Sequence, residues 1–214
     1  MQENGGLRER KRRETRAALS LAATRLCLLR GWENVTVDDI AAAANVSPRT
    51  FRNYFSTKAE AVAAAHRERM LRIADDLRAR PGNEPLWIAI TNAVAAQFEP
   101  PARKSEALED AQRWVERIRF ILTEPAIHGE MLKASAAAQV ELAEVIAERV
   151  GARRAKDLYP QVAAAVVTAV VGTVMDRWLR DGPSGPIVPH LRKAFELVAA
   201  GFPENQAKAG KPGR

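Results

Sequence analysis

The chain has 214 residues, 47% of them apolar, 6% aromatic and 28% charged, with a formal net charge of +7 at pH 7. Such a composition supports a buried core and excludes a collagen-like or wholly disordered chain; the single cysteine, Cys27, excludes an intrachain disulfide. The charge is uneven, with eleven basic and six acidic residues up to Lys58. That imbalance points to a polyanionic partner, unless it is only a solvated face.

The basic start leads into an amphipathic pattern rather than an apolar run, so nothing resembles a signal peptide. The most apolar stretch, Val162 to Met175, is shorter than the roughly 20 residues that span a bilayer. Both features predict a soluble, cytoplasmic protein without a membrane partner.

In chain order, residues to about Arg8 are polar, contain Gly5 and Gly6, and read as a flexible arm. Leu19, Ala22, Ala23, Leu26 and Leu29 then recur at helical spacing, predicting a first helix from about Arg10 to Arg30 with the arginines opposite. Cys27 lies in this apolar stretch as a buried structural thiol. Gly31 stops the helix, freeing Trp32 and Val35 to pack back. Thr36, with Asp39 three positions on, forms a capping-box pattern. It opens a short helix, Val37 to Ala44, with Val37, Ile40, Ala41 and Ala44 on one face. After a break at Asn45, Val46 and Ser47, Ser47 as N-cap and Pro48 at the first helical position open a third helix to about Phe55. Thr57 and Glu60 are a further capping pair, starting a long fourth helix to about Ala79.

Pro81-Gly82-Asn83 is the clearest boundary. Beyond it the pattern predicts helices at about 85–98, 103–122, 125–150, 156–180 and 188–200. They are separated by Pro100-Pro101, Gly151 and Asp181-Gly182-Pro183, and Pro160 falls in a first turn, where it is tolerated. No strand pattern and no internal repeat is present. The expected fold is all-α with about nine helices: an N-terminal three-helix domain at 1–58, a C-terminal helical domain at 59–203, and a disordered tail at 204–214.

Two short helices joined by a tight turn, the second with a basic outer face, make a helix-turn-helix. Val37, Ile40, Ala41, Val46 and Phe51 form a small wedge that sets the angle between them. Asn45 at the turn tolerates the left-handed conformation. Arg49, Arg52 and Asn53 then face outward, where arginine can pair with guanine O6 and N7 and asparagine with adenine N6 and N7.

The segment Val35-Thr36-Val37-Asp38-Asp39-Ile40-Ala41, then Asn45-Val46-Ser47, Thr50-Phe51 and Tyr54-Phe55-Ser56-Thr57-Lys58, resembles the DNA-binding region of the TetR family of repressors. The resemblance covers about the first sixty residues; past them only the helix pattern agrees. The chain departs from the family at Asn45, where Gly is usual, and at Arg49 and Arg52, where Gly and Tyr are frequent. The first change is conformationally benign and the others bear on which bases are read. The resemblance implies that Thr36, Ser47, Tyr54 and Lys58 contact phosphates and that Thr50 lies near a phosphate or a thymine methyl. It puts Arg49, Arg52 and Asn53 on base edges, with Arg12, Arg13 and Arg16 adding sequence-independent affinity. Phe55 goes to the core. That Arg49 and Arg52 are ordinary solvated arginines remains the competing reading.

For the C-terminal region the resemblance implies a homodimer built on the last two long helices, with Val166, Val170, Val174, Leu191, Phe195 and Val198 at suitable spacing, unless some face the chain's own core. It also implies an effector pocket. Trp87, Ile90, Phe98, Trp114, Ile118, Phe120, Ile121, Met131, Val171, Met175 and Trp178 suit an apolar or aromatic ligand, or else are plain core. The run Phe51 to Lys58 with this helix layout is similar to actinobacterial members that respond to fatty acyl-CoA thioesters. Arg113 and Arg117, four apart, are either a phosphate contact or a solvated face.

Catalysis is not indicated. His66, His128 and His190 fall on different predicted helices without metal-ligand spacing, and there is no Gly-rich phosphate loop or nucleophile motif; no metal or cofactor is expected. The reading is therefore a one-component repressor that binds a palindromic operator as a dimer and is released by a small apolar or amphipathic effector. The alternative is an architectural or non-specific DNA binder without effector.

Overall fold

The computed structural model describes residues 3–99, 124–151, 158–181 and 185–202. Among them are eight helices: α1 (Glu3–Arg30), α2 (Val37–Ala43), α3 (Pro48–Arg52), α4 (Lys58–Ala79), α5 (Leu86–Phe98), α6 (Pro125–Val150), α7 (Tyr159–Asp181) and α8 (Val188–Ala199). The helix expected at 103–122, with Arg113, Trp114, Arg117, Ile118, Phe120 and Ile121, lies outside the described residues, as does the tail at 204–214.

The first helix corrects two expectations. It begins at Glu3, so the stretch read as a flexible arm is helical, helped by the i,i+4 pair Arg10–Glu14 at 2.9 Å. Leu29 is 60% exposed, because ten residues of helix turn it roughly 80° away from Leu19. Leu19, Ala23 and Cys27 carry the buried face instead. Burial raises the Cys27 thiol pKa, which keeps it protonated and inert.

Two apolar clusters divide the interior. The first gathers Leu19, Ala23 and Cys27 from α1, Trp32 and Val35 from the loop, Ile40, Ala41, Phe51 and Phe55 from the small helices, and the start of α4. The second joins Met70, Ile73 and Leu77 of α4 to Ile90 and Val94 of α5, Leu142 and Ile146 of α6, Val167 and Val171 of α7, and Leu191 and Phe195 of α8. The change-over from one cluster to the other falls inside α4, between Ala64 and Met70. A second helix also reaches both clusters: Ile127, at the start of α6, is 0% exposed and belongs to the first cluster. Met131, one turn on, packs there too, away from the effector candidates it was grouped with.

The α4–α5 link is clamped from a distance. Arg149, near the end of α6, donates to the carbonyls of Arg80 at 3.2 Å and Glu84 at 2.9 Å, and to that of Pro81. The Pro81 carbonyl also accepts from the Glu84 amide at 3.1 Å, so the guanidinium reinforces a turn that already closes on itself. Arg80 pairs in turn with Glu84, whose carboxylate is held below its usual pKa by that guanidinium.

In α7 the 14-residue apolar run sits inside a longer helix. The helix has 23 residues, long and apolar enough to cross a membrane by length and composition, contrary to the shorter span read from sequence. It packs on α6 and α8, yet only 28% of its most apolar window is buried within the chain.

Candidate nucleic-acid interface

The reading head is held by local chemistry that the sequence specifies closely. Thr36 caps α2 in a complete capping box: its hydroxyl accepts from the Asp39 amide at 3.1 Å, while Asp39 accepts from the Thr36 amide at 2.9 Å and hydroxyl at 2.5 Å. Those hydrogen bonds, first from the Thr36 side chain, lower the Asp39 pKa. The same arrangement engages the Thr36 hydroxyl proton that was assigned to a phosphate. At the other end of α2, Asn45 adopts φ 56°. The Val46 amide reaches the Ala41 carbonyl at 2.9 Å and the Asn45 amide reaches Ala42 at 3.0 Å. This is the left-handed helix stop usually served by glycine.

Ser47 then caps α3, accepting from the Thr50 amide at 3.0 Å, with Pro48 at the helix start. The helix is five residues long, ending at Arg52 rather than near Phe55. Phe51 is fully buried beneath it, 5.7 Å from the Phe55 ring. Arg49, Arg52 and Asn53 are exposed on the outer side, and their side chains make no hydrogen bond or ion pair to any described residue. Ser47 and Thr50 flank this ridge, their hydroxyls 2.9 Å apart. Tyr54 is half-buried beside it.

Two expected DNA ligands point elsewhere. Lys58 does not extend toward the ridge: its ammonium donates to the carbonyls of Trp32 at 2.6 Å and Val35 at 2.8 Å and lies 4.0 Å over the Trp32 ring. It is a clamp on the α1–α2 loop, drawing together two carbonyls three residues apart in that loop. Arg16 is likewise internal, donating to the Tyr54 carbonyl at 3.0 Å and lying 4.3 Å over Phe55. Burial is the first reason its pKa is lowered. Arg12 and Arg13 remain exposed on α1, lining a groove of about 710 Å³ that runs past Tyr54 to Arg67 and Arg72 on α4.

Of the effector candidates, Val171 is buried in the second cluster, and Trp87, Phe98, Met175 and Trp178 pack partly buried against it. The Trp178 indole donates to the Gly185 carbonyl at 3.0 Å. Of the dimer candidates, Leu191 and Phe195 are each 1% exposed in the chain's own core, so they do not face a mate. Val166, Val170, Val174 and Val198 are partly exposed.

The histidine that sequence reasoning set aside has a structural place. His66 of α4 lies 2.9 Å from the Ser135 hydroxyl of α6, and burial, followed by Arg69, lowers its pKa to about 4. The unfolded imidazole, near 6.5, takes up a proton that the folded one refuses. Stability from this group is thus complete above pH 6.5 and is lost as pH falls toward 4. Between pH 7 and 5 the wild type is expected to lose about 1–2 kcal/mol more unfolding free energy than His66→Gln; urea denaturation at the two pH values measures it, and equal losses would refute it. Sequence missed Arg16, Lys58 and Arg149 as internal clamps, since an arginine or lysine that folds back on a carbonyl has the same local pattern as one in solvent. Among the described residues no cluster of His, Cys, Asp or Glu could hold a metal ion.

Residues 21–65 match the family model described as bacterial regulatory proteins, tetR family, and residues 84–203 match that of the MftR C-terminal domain. The chain is 31% identical to the HTH-type transcriptional regulator TcmR of Streptomyces glaucescens over 81% of this chain and 76% of that one. It is 28% identical to MftR of Mycobacterium tuberculosis, a transcriptional regulator named for mycofactocin biosynthesis, over 90% and 93% of the two chains. A similar fold occurs in FadR of Thermus thermophilus, a transcriptional repressor solved with lauroyl-CoA, at 21% identity and a TM-score of 0.53, covering 93% of this chain and 100% of that one.

Proposed function

The chain belongs to the TetR family of bacterial transcriptional regulators, which are not enzymes, and from that premise we propose that it is a cytoplasmic repressor that grips a palindromic operator as a homodimer and is released by a small amphipathic effector. The observation that carries the DNA reading is the ridge of Arg49, Arg52 and Asn53: exposed side chains without partners among the described residues, on and just past a short helix whose start is capped by Ser47. Such groups are free to meet base edges in a major groove. Ser47, Thr50 and Tyr54 flank them toward the phosphates, and Arg12 and Arg13 add non-specific attraction. Thr36 contributes through its capped helix start, and Lys58 by holding the loop.

Dimerisation is supported by α7, whose Val162 is 56% exposed, whose Ala169 and Thr173 share an exposed face with it, and whose Gly172 is exposed beside that face. A stripe of this kind on a mostly unburied apolar helix suits a self-complementary two-fold contact, and two reading heads then match two half-sites. In the division of labour proposed here, the chain to about residue 58 reads DNA and residues 59–203 bind effector and partner. Trp87, Phe98, Val171, Met175 and Trp178 are the proposed apolar lining among the described residues, with Trp114 and Ile118 outside them. An acyl-CoA-like effector is favoured by the apolar lining and by the ligand of the Thermus neighbour.

Selection of duplexes from a random pool by the purified protein, followed by titration of the enriched site, tests the reading. Arg52→Ala is expected to weaken the selected site by about 1–3 kcal/mol and to relax preference at one base pair per half-site. Enrichment of no sequence over random competitor would leave only an architectural DNA binder, and a species that stays monomeric at micromolar concentration would end the operator model.

A further inference from the structure

We propose that Arg69, with His66 and Ser135 beside it, is the anion-recognising element of the C-terminal domain, so that the effector carries a carboxylate or phosphate on an apolar body. This rests on the reading of residues 59–203 as an effector-binding domain and specifies the chemistry of its ligand. Arg69 leaves α4 between the two cores, next to fully buried Met70, and its guanidinium lies 5.0 Å over the Phe98 ring at the end of α5.

What distinguishes it is that no described residue gives it a counter-charge. Arg72 has the Gln97 oxygen at 2.8 Å and Glu68 at 3.9 Å. Arg78 has Asp75, Glu141 and Glu148, Arg80 has Glu84, and Arg149 has three carbonyls. Arg69 meets neither a carboxylate nor a carbonyl among the described residues. Its surroundings are desolvating first and then cationic, through Arg72, and both lower its pKa.

A desolvated cation without a counter-ion is unfavourable, and the face of one phenylalanine offsets only part of that. An anion would remove the penalty. The guanidinium fork fits two oxygens of a carboxylate or phosphate. His66, one turn away and held neutral, is hydrogen-bonded to the Ser135 hydroxyl, and the pair keeps one donor for a ligand without adding repulsion. Phe98, against the same guanidinium, provides an apolar wall beside the charged group. The three side chains come from α4 and α6, the two helices that also reach the first cluster.

The test uses the full-length protein without DNA. Dodecanoate, dodecyl phosphate and uncharged 1-dodecanol are titrated into wild type, Arg69→Met and Arg69→Lys by calorimetry, with inorganic phosphate at constant ionic strength as the head group alone. Wild type is expected to bind at least one anionic probe about tenfold or more tightly than the alcohol. Arg69→Met loses that preference and Arg69→Lys keeps part of it. Ligand-free Arg69→Met should melt at or above wild type, since it has shed a desolvated cation that no described residue compensates. Equal affinity for alcohol and anions, an unchanged preference in Arg69→Met, or no anion binding by wild type overturns the assignment. So does a fall of several degrees in the melting temperature of ligand-free Arg69→Met, which would make the guanidinium part of the scaffold. Preference for dodecanoate or for dodecyl phosphate identifies which anion is taken. Because no DNA is present, a negative outcome leaves operator binding to its own experiment.

Discussion

Ile127→Ala is expected to lower the unfolding free energy by about 2–4 kcal/mol, the usual range for emptying a fully buried isoleucine site. Ile127 stands in the first turn of α6, is 0% exposed, and is packed with Phe51, Phe55 and the start of α4 in the first cluster. Further along, the same helix places Leu142, Val145 and Ile146 in the second cluster. One continuous helix thereby joins both interiors, and it packs more extensively on α4 than any other pair of described helices pack on each other. A cavity at Ile127 should therefore loosen the reading head from the C-terminal domain as well as weaken it. Chemical denaturation gives the stability, and operator affinity with and without effector gives the coupling. A loss under about 1 kcal/mol with coupling intact would mean that the plug is not tightly packed. Ile127→Val, which keeps most of the volume, is expected to cost about 0.5–1.5 kcal/mol.

Lys58→Met is expected to cost about 3 kcal/mol, for it removes a charged donor from two carbonyls and a cation from the Trp32 ring. The ammonium reaches Trp32 and Val35 from the start of α4 at 2.6 and 2.8 Å, and Thr36 with its capping box is the next residue in the chain. The loop and the orientation of α2 should both relax. Salt dependence separates this outcome from that of a phosphate ligand. Removing a side chain that neutralises one phosphate of B-DNA reduces the slope of log affinity against log salt by about 0.9 and need not change stability. The clamp predicts the reverse, a lower melting temperature with an unchanged slope. An unchanged melting temperature with a reduced slope would return Lys58 to the phosphates.

The effects at Ile127 and Lys58 share a physical origin. The reading head is small, and few of its atoms are far from its surface, so its geometry depends on groups supplied by α4 and α6. Arg16 works in the same direction, tying α1 to the carbonyl of Tyr54 just past the recognition helix. A change in the packing of α4 against α6 can therefore alter the angle at which α3 is presented, and a ligand that favours one packing shifts affinity at the other site by its differential binding.

Much of this was legible in the chain itself. Thr36 with Asp39, Asn45, and Ser47 with Pro48 determine the helix ends within the reading head, because caps and left-handed stops are set by residues within a few positions of one another. The outward placement of Arg49, Arg52 and Asn53 follows from the burial of Phe51 by the same short-range logic. The helices at 125–150 and 188–199 follow from their apolar period and flanking breakers.

Tertiary structure alone decided which long side chains turn inward. Lys58 and Arg16 carry the local signature of DNA ligands yet close on carbonyls 23 to 38 residues away. Leu191 and Phe195 have the spacing of an interface yet fill the core, and Met131 and Ile127 belong to the domain that sequence order assigns them away from. The reason is one of range. Caps and periodicity are written between neighbours, whereas the partner of a flexible cation or the owner of an apolar face is chosen only when distant helices meet.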